Sequence, residues 1–543
     1  MSAIPPTVVA LHRPAAVSGV SAAGARLARL PAPHTPWRPL VIGEAITPKV
    51  LAASPLADAP GLEVVSWDPG TPAVEQVLLV RDALRRLGAT VVVPNDLPHG
   101  FAAAGLDHLR GVRAAAWCHA DSHDGDELFL RCGELANAWR AVSDRADARL
   151  RALGVPLAGG GGIMPVCVEV PGAPAPMPAP PDRAAGTPLR LLYAGRLEKF
   201  HKRCLDLAAL ADELAMRGVA FELTIAGSGP AEAELRDRVA AHAAAGRVRL
   251  LGPVALARIP ALLAACHVGV LVSGSEGMPT AVMETMAAGR PMAITTGCGG
   301  AVGVVRDGVE GLVVPVGAMD TLAAHLSVLA SEPARLASMG AAAHAVARRL
   351  FTPAARGPSY DAFIAEAAAR PARFGAGQGA GVRDAWSRVL AALEAIGPCG
   401  EGDLADLAAA WRAEIGAPMS LDLPRTLPGR DSPAERLLRA ALGRLRTQGL
   451  CRVALYGAGA HTRKVARVVA SSPEIVGVID DAAEADGGPA GLVHGLPIVP
   501  PHALHRLRVQ AIIVSSDEHE REMLPKARAW AGTRPVVGLY HAA

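Results

Sequence analysis

The chain has 543 residues, with 54 lysines and arginines against 51 aspartates and glutamates, for a net charge of +3. That balance excludes a general nucleic-acid binder, and the length allows about three or four domains of ordinary size. Just over half the residues are apolar, largely through alanine, but no uninterrupted run reaches the roughly 18 residues of a membrane-spanning helix, so no transmembrane segment is expected. The N-terminus, MSAIPPTVVALHRP, lacks the basic start, long apolar stretch and cleavage site of a secretory leader, and the eight cysteines show no metal-ligand spacing. A cytoplasmic protein with reduced cysteines and no metal site is the expectation.

From the start to residue 172, apolar runs at Thr7–Leu11, Pro39–Ile42, Leu62–Ser66, Thr90–Val93, Val112–Trp117 and Ala138–Ser143 alternate with helical segments such as Val74–Leu87. Short apolar runs spaced by helices predict parallel strands with crossover helices, an α/β lobe whose function gathers at the carboxyl ends of its strands. Three such ends carry polar residues. Ser18-Gly19-Val20-Ser21 follows the first, Asn95 and Asp96 follow the fourth, and His119, Asp121, His123, Asp124 and Asp126 crowd after the fifth. The spacing of this last group matches no closed metal site, and His119 is the stronger candidate in it. Residues 173–188 are rich in proline and alanine without periodicity, which reads as a linker.

A second α/β lobe is expected over 189–370. Leu189–Ala194 reads as a strand ending in Gly195-Arg196, and His201-Lys202 precede an amphipathic helix carrying Leu205, Leu207, Leu210 and Leu214. Paired cations at a strand-to-helix loop offset the charge of a leaving diphosphate. Further strands are predicted at Phe221–Ile225, running into Gly227-Ser228-Gly229, and at Val248–Leu251.

The stretch VGVLVSGSEGMPTAVMETMAAGRP, 268–291, holds the centre of the lobe. Val268–Val272 reads as a buried strand, Ser273–Gly277 as a loop, and a helix runs from Pro279–Thr280 to Gly289. The unpaired amides at that helix start favour an anion such as a diphosphate. Glu276 in the loop and Glu284 a turn into the helix would repel phosphate, so they suit hydrogen bonds from hydroxyls on either side of it, as sugars provide. Strands at Pro291–Thr295 and Gly311–Val314 follow, and a helix near Tyr360–Ala369 is expected to cross back to the first lobe.

Residues 371–448 read as a flexible and helical connector without visible chemistry. From 449 to 543 a strand, Gly457-Ala458-Gly459-Ala460-His461-Thr462, a helix and the strand Ile475–Ile479 before Asp480-Asp481 give the β–turn–α–β–acid order of a nucleotide-binding unit. Thr462 stands near the place of the third glycine. The candidate residues here are Gly457, Gly459, His461, Thr462 and Asp480.

The 268–291 stretch closely resembles the E-x7-E signature of family 4 retaining glycosyltransferases, and Gly195-Arg196-Leu197 followed by Lys202 resembles that family's basic motif. The likeness is strong over 189–350 and loose over the first 170 residues. It implies a GT-B fold, two Rossmann-like lobes, here followed by a helical segment and a C-terminal Rossmann-like α/β domain similar to those of sugar-modifying enzymes. By this resemblance Glu276 contacts the donor sugar, Glu284 holds the nucleotide ribose, and the amides of Gly277, Met278, Pro279 and Thr280 surround the diphosphate. Proline, having no N–H, contributes only backbone shape.

Arg196 and Lys202 would neutralise the leaving group, with Lys199 and Arg203 as fallbacks, while His119 faces the donor sugar and Gly19, Gly195, Gly227 and Gly229 border the donor. This chain departs from the family at Pro165-Val166-Cys167-Val168, where a proline-asparagine-glycine-valine turn is usual. The implied reaction transfers a sugar from a nucleotide-diphosphate sugar to an acceptor hydroxyl with retention and without a required cofactor or metal. A carbohydrate, a lipid-linked glycan at the inner face of a membrane and a small molecule all remain open as acceptors. Two other readings also remain: a catalytically silent nucleotide-sugar-binding scaffold, and a tail-driven NAD or nucleotide-sugar-modifying enzyme.

Overall fold

The computed structural model describes residues 6–14, 19–119, 123–152, 155, 161–179, 181, 187–370, 379–397, 399–417, 421, 423, 433–457, 462, 465, 468–469, 472–481, 492–493, 496–516 and 519–539. The chain forms two compact units, 1–425 and 426–543.

The first unit contains two six-stranded parallel sheets. In the first lobe β1 (Val8–His12), α1 (Gly19–Leu27), β2 (Arg38–Glu44), β3 (Glu63–Trp67), α2 (Ala73–Arg86), β4 (Val91–Val93), α3 (Pro98–Leu106), β5 (Arg113–Cys118), α4 (His123–Cys132) and β6 (Ala136–Ala141) build a sheet of order β3-β2-β1-β4-β5-β6. All its pairings are parallel. The last strand begins two residues earlier than its apolar run predicts. Asn137 breaks the hydrophobic pattern, yet its Oδ1 accepts the Ala114 amide across a register shift at Ala114/Ala115, so a polar side chain completes the ladder there.

The second lobe repeats the plan with β7 (Leu189–Ala194), α5 (Asp206–Met216), β8 (Phe221–Ala226), β9 (Val248–Gly252), β10 (Val268–Leu271), α6 (Thr280–Ala287), β11 (Met292–Thr295) and β12 (Gly311–Val314) in the order β12-β11-β10-β7-β8-β9. In both sheets the strand order reverses beside the first strand, between β1 and β4 and between β7 and β10. Such reversals leave a crevice at the carboxyl ends where crossover helices part to opposite faces.

Two crossings join the lobes. One is the segment 164–170; the other lies where α7 (Pro333–Phe351) gives way to α8 (Pro353–Ala369), and the Val168 amide bonds the Phe351 carbonyl at 2.9 Å. The helix α8 packs on β5 and β6 of the first lobe, where Tyr360 closes an aromatic cluster with Trp37 and Trp117, each ring pair 5.8 Å apart. The region 371–448 divides in two. Its helices α9 (Gly379–Glu394) and α10 (Glu401–Ile415) pack on first-lobe helices. Trp411 is fully buried, and its indole N–H bonds the Leu106 carbonyl at 2.8 Å.

The proline-rich linker is anchored as well. Arg290, fully buried just past α6, donates to the carbonyls of Leu263, Ala264, Ala175 and Pro176, and His267 bonds the Ala179 carbonyl. Gly289, at φ +75°, makes the left-handed turn that ends α6 and aims Arg290 inward.

The second unit begins with α11 (Pro433–Thr447). A third sheet follows, with β13 (Val453–Tyr456), β14 (Ile475–Ile479), β15 (Leu492–Val493), β16 (Leu496–Val499) and β17 (Ala511–Val514), then α12 (Glu520–Trp530) and β18 (Val536–Gly538). Its order, β15-β16-β14-β13-β17-β18, repeats the same reversal between β13 and β17, with only β15 antiparallel. No described helix is long and apolar enough to cross a membrane.

Arg290→Ala would strand several buried carbonyls that hold the linker to α6. At 1–3 kcal/mol for each unsatisfied buried group, we expect a loss of at least about 3 kcal/mol in urea denaturation, with faster proteolysis between 173 and 179. An unchanged midpoint would contradict this anchoring.

Candidate functional site

A cleft of about 1160 Å³ lies between the lobes, bordered by the carboxyl ends of both sheets. Its size suits a large ligand such as a nucleotide sugar. Two helix starts meet across it. A Cβ built on Gly19, the first residue of α1, would lie 3.1 Å from Thr280 Oγ1, at the first residue of α6. The positive ends of two helix dipoles therefore converge on one spot.

Close backbone packing holds this mouth. A Cβ on Gly277 would meet the His119 carbonyl at 2.3 Å, one on Gly299 the Glu276 carbonyl at 1.8 Å, and one on Gly227 the Gly195 carbonyl at 1.8 Å. Gly227 and Gly229 have φ of +146° and +159°, so the loops after β7 and β8 stack main chain on main chain, which only glycine permits.

On the second lobe Glu276 is held twice, by Lys202 Nζ at 2.5 Å and by the Ser273 hydroxyl at 2.6 Å. Both partners of the ion pair are mostly buried, with 17% and 11% of their side chains exposed. The Gly274 amide bonds the His201 carbonyl at 2.8 Å, locking the two loops together. Glu284 is met from the opposite lobe: Arg26 of α1 donates to its Oε1 at 2.5 Å. Each carboxylate beside the anion-binding spot is thus balanced by a cation.

Arg196 lines the cleft but its side chain is mostly exposed and comes no closer to an acid among the described residues than 4.0 Å, from Glu198. Lys199 and Arg203 turn away, to Glu234 and Asp206. Lys202 is therefore the cation that the loop delivers to Glu276.

The first-lobe wall is built on the β1/β4 reversal. Asn95 adopts φ +50°, a left-handed conformation tolerated by asparagine, and its Nδ2 donates to the Leu11 carbonyl at 2.7 Å. That fixes its Oδ1 toward His119 Nε2, 3.0 Å away, so Nε2 carries the proton and Nδ1 keeps a lone pair. Burial, and secondarily neighbouring His12, lower the His119 pKa to about 3. The imidazole stays neutral through the physiological range.

His12 and Asp96 complete this wall; the sequence placed Asp96 at a strand end of interest without a role, and did not single out His12. Both His12 ring nitrogens and Asp96 Oδ1 are shut off from solvent without a described hydrogen-bond partner. Burial lowers His12 to about 4. It raises Asp96 to about 6, against the opposing effects of a His119 main-chain bond and the Arg13 charge. The connector also reaches the cleft through Glu394 and Ala395 at the end of α9.

The structure thus brings Gly19, His119, Gly195, Arg196, Lys202, Gly227, Glu276, Gly277, Met278, Pro279, Thr280 and Glu284 to one cleft. Gly229 supports it from behind, against Leu197. Ser18 and Asp121 lie outside the described residues, as do the side chains of His123, Asp124 and Asp126. In the second unit, Gly459 and His461 also lie outside them. Thr462 sits at the β13/β17 reversal, its hydroxyl beside the Gly457 carbonyl and 2.9 Å from Ser515. Asp480 bonds through its amide to Val499, while the next residue, Asp481, accepts the Tyr456 hydroxyl at 2.6 Å.

Residues 188–332 match the family model described as glycosyl transferases group 1. Alpha-D-kanosaminyltransferase of Streptomyces kanamyceticus is 32% identical over 127 residues, 23% of this chain and 32% of that protein. Glycogen synthase of Mycobacterium tuberculosis is 33% identical over 125 residues, 23% of this chain and 30% of that protein. The chain therefore spans about a third of the length of these curated relatives. Among solved structures, Anabaena HepE in complex with UDP superposes with a TM-score of 0.54 at 16% identity, over 66% of this chain and 99% of that one. Sucrose-phosphate synthase of Thermosynechococcus elongatus does so with a TM-score of 0.50 at 18% identity, over 65% and 97%. The two-lobed fold is GT-B.

The burial of Asp96 has a pH signature. With a native pKa near 6 against an unfolded value near 4, the native state holds a proton that the unfolded chain has released. Stability must therefore fall as pH rises through that window, and the penalty is complete above it. We expect Asp96→Asn to melt above the wild type at pH 7.5, with the difference vanishing near pH 4. A wild type as stable as the variant at pH 7.5 would contradict the burial.

Proposed function

We propose that the cleft transfers a hexosyl group from a nucleotide-diphosphate sugar, with UDP as the nucleotide, to a hydroxyl of a glycan acceptor, retaining the anomeric configuration. The observation that carries this reading is the meeting of two helix starts, flanked by two glutamates each neutralised by its own cation. Diphosphate fits between the amides of α1 and α6, the ribose hydroxyls on Glu284, and the transferred sugar between Glu276 and His119. The family match over 188–332 covers the lobe proposed to hold the donor. The HepE structures hold UDP and UDP-glucose, which supports the choice of nucleotide.

Fixing the donor's anomeric carbon under an acceptor hydroxyl provides orientation, and charge growing on the diphosphate is met by Lys202, Arg196 and the helix amides. These groups supply positive charge without a metal in the step. His119 is a poor proton acceptor, with its Nε2–H committed to Asn95 and its pKa near 3. The leaving phosphate oxygen is then the base: it takes the acceptor proton on the face it departs, and the new glycosidic bond forms on that same face. The acceptor enters over the first lobe, and carbohydrate, lipid-linked and small-molecule hydroxyls share this chemistry. The second unit serves as an accessory nucleotide- or nucleotide-sugar-binding module around Gly457, Thr462 and Asp480.

One observation favours a second reading. Asp96, with its pKa near 6 and an unpartnered Oδ1, has the properties of a general base on the acceptor side and would give inversion. Product analysis separates the two. With retention, the linkage keeps the donor anomer, and Glu276→Gln and Lys202→Ala each lower kcat/KM about a hundredfold or more in protein whose circular dichroism shows it folded at the assay temperature, although unpairing the sheltered ion pair lowers the melting temperature. Turnover also persists in EDTA. An inverted product whose formation is abolished by Asp96→Asn would replace this mechanism with the second, and turnover untouched by changes at Glu276 and Lys202 would remove the site assignment.

A further inference from the structure

Arg26 belongs to the first lobe, yet its side chain serves the lobe opposite. From the last turn of α1 its Nη2 reaches Glu284 Oε1 at 2.5 Å, and its Nη1 reaches the Cys167 carbonyl at 3.3 Å. Cys167 lies in the crossing segment whose neighbour Val168 is bonded to Phe351 at the second crossing. One guanidinium therefore ties together α1, the hinge between the lobes and the second glutamate of the E-x7-E pair. The ion pair is sheltered, with 17% and 22% of the two side chains exposed.

We propose that Arg26 is a positioning residue for the nucleotide: it sets the Glu284 carboxylate to receive the ribose hydroxyls, and so makes ribose binding depend on the closed arrangement of the lobes. This rests on the reading of Glu284 as the ribose-holding group. The geometry divides the carboxylate's work. Oε1 is held by Arg26, while Oε2 has no partner among the described residues and belongs to a side chain that lines the cleft. A ribose diol offers two donors to one carboxylate. Oε2 takes one, and the second lone pair of Oε1 takes the other, with the plane of the carboxylate already set.

Charge supplies a second reason. A bare glutamate one turn into α6 would repel the diphosphate at the helix start. Paired with Arg26 it is close to neutral toward phosphate while still accepting hydrogen bonds. Lys202 does the same for Glu276 from within its own lobe, so the two glutamates are balanced by different lobes and only the ribose end reports closure. Lysine keeps the charge but loses the two-pronged reach to Cys167 and Glu284.

The test is calorimetric titration of the full chain with UDP and with 2′-deoxy-UDP. Wild type is expected to bind UDP and to discriminate against the deoxy form by about tenfold. Arg26→Ala should weaken both ligands, because a bare Glu284 repels the diphosphate they share, but weaken UDP about tenfold more and so erase the discrimination, with Arg26→Lys falling between. A purely structural role would weaken both ligands alike and would overturn the proposal. Glu284→Ala is the control: loss of discrimination there but not in Arg26→Ala sinks the Arg26 inference alone. Undiminished discrimination in Glu284→Ala, or no binding of UDP by wild type, sinks the donor reading and this inference with it.

Discussion

A carboxylate placed beside a helix start that attracts anions cancels that attraction unless it is neutralised, and the cleft is arranged around that constraint. The start of α6 attracts anions, yet Glu276 precedes it and Glu284 lies one turn inside it. Left bare, either would cancel the attraction. The pairs Lys202–Glu276 and Arg26–Glu284, each at 2.5 Å, remove the conflict. They leave two carboxylates able to accept hydrogen bonds, from sugar hydroxyls in the proposed reading, while keeping the net field at the helix starts positive. The glycines serve the same end by letting loops approach until amides from both lobes face one small volume.

The architecture explains why these groups converge. All three sheets carry the same reversal of strand order beside the first strand, and each reversal gathers polar residues: Asn95 bonded to Leu11, Lys202 to Glu276, and Thr462 near Ser515. In the first unit two reversals face each other, so the wall that neutralises charge and the wall that keeps His119 and His12 neutral bound one cleft. A charged, anion-seeking side opposite an uncharged, poorly basic side is suited to a reaction in which the leaving group carries the charge and also takes the proton.

Much of this was legible in the sequence because it is local. Strand ends followed by Gly19, Gly195 and Gly277, the E-x7-E spacing, and the leucines at helical period on 206–216 all lie within short windows that set backbone and exposure together. What escaped depends on pairs far apart in the chain. Arg290 reads as a helix-end cation, yet it is buried on four carbonyls from two distant segments. Arg26 meets a residue 258 positions away. Asn137 looks like a break in a strand because its partner, the Ala114 amide, sits across a bulge. Likewise, helices were expected in the connector, but nothing local showed that the buried faces of 379–415, with Trp386 and Trp411, answer a surface on the first lobe.

A crystal structure of the full chain with UDP bound tests the central claim most directly. The account predicts the diphosphate between the first residues of α1 and α6, the ribose on Glu284 with Arg26 still paired to it, and Lys202 turned toward the outer phosphate. UDP seated away from α6, or bound with Glu284 and Glu276 facing bulk solvent, would contradict it.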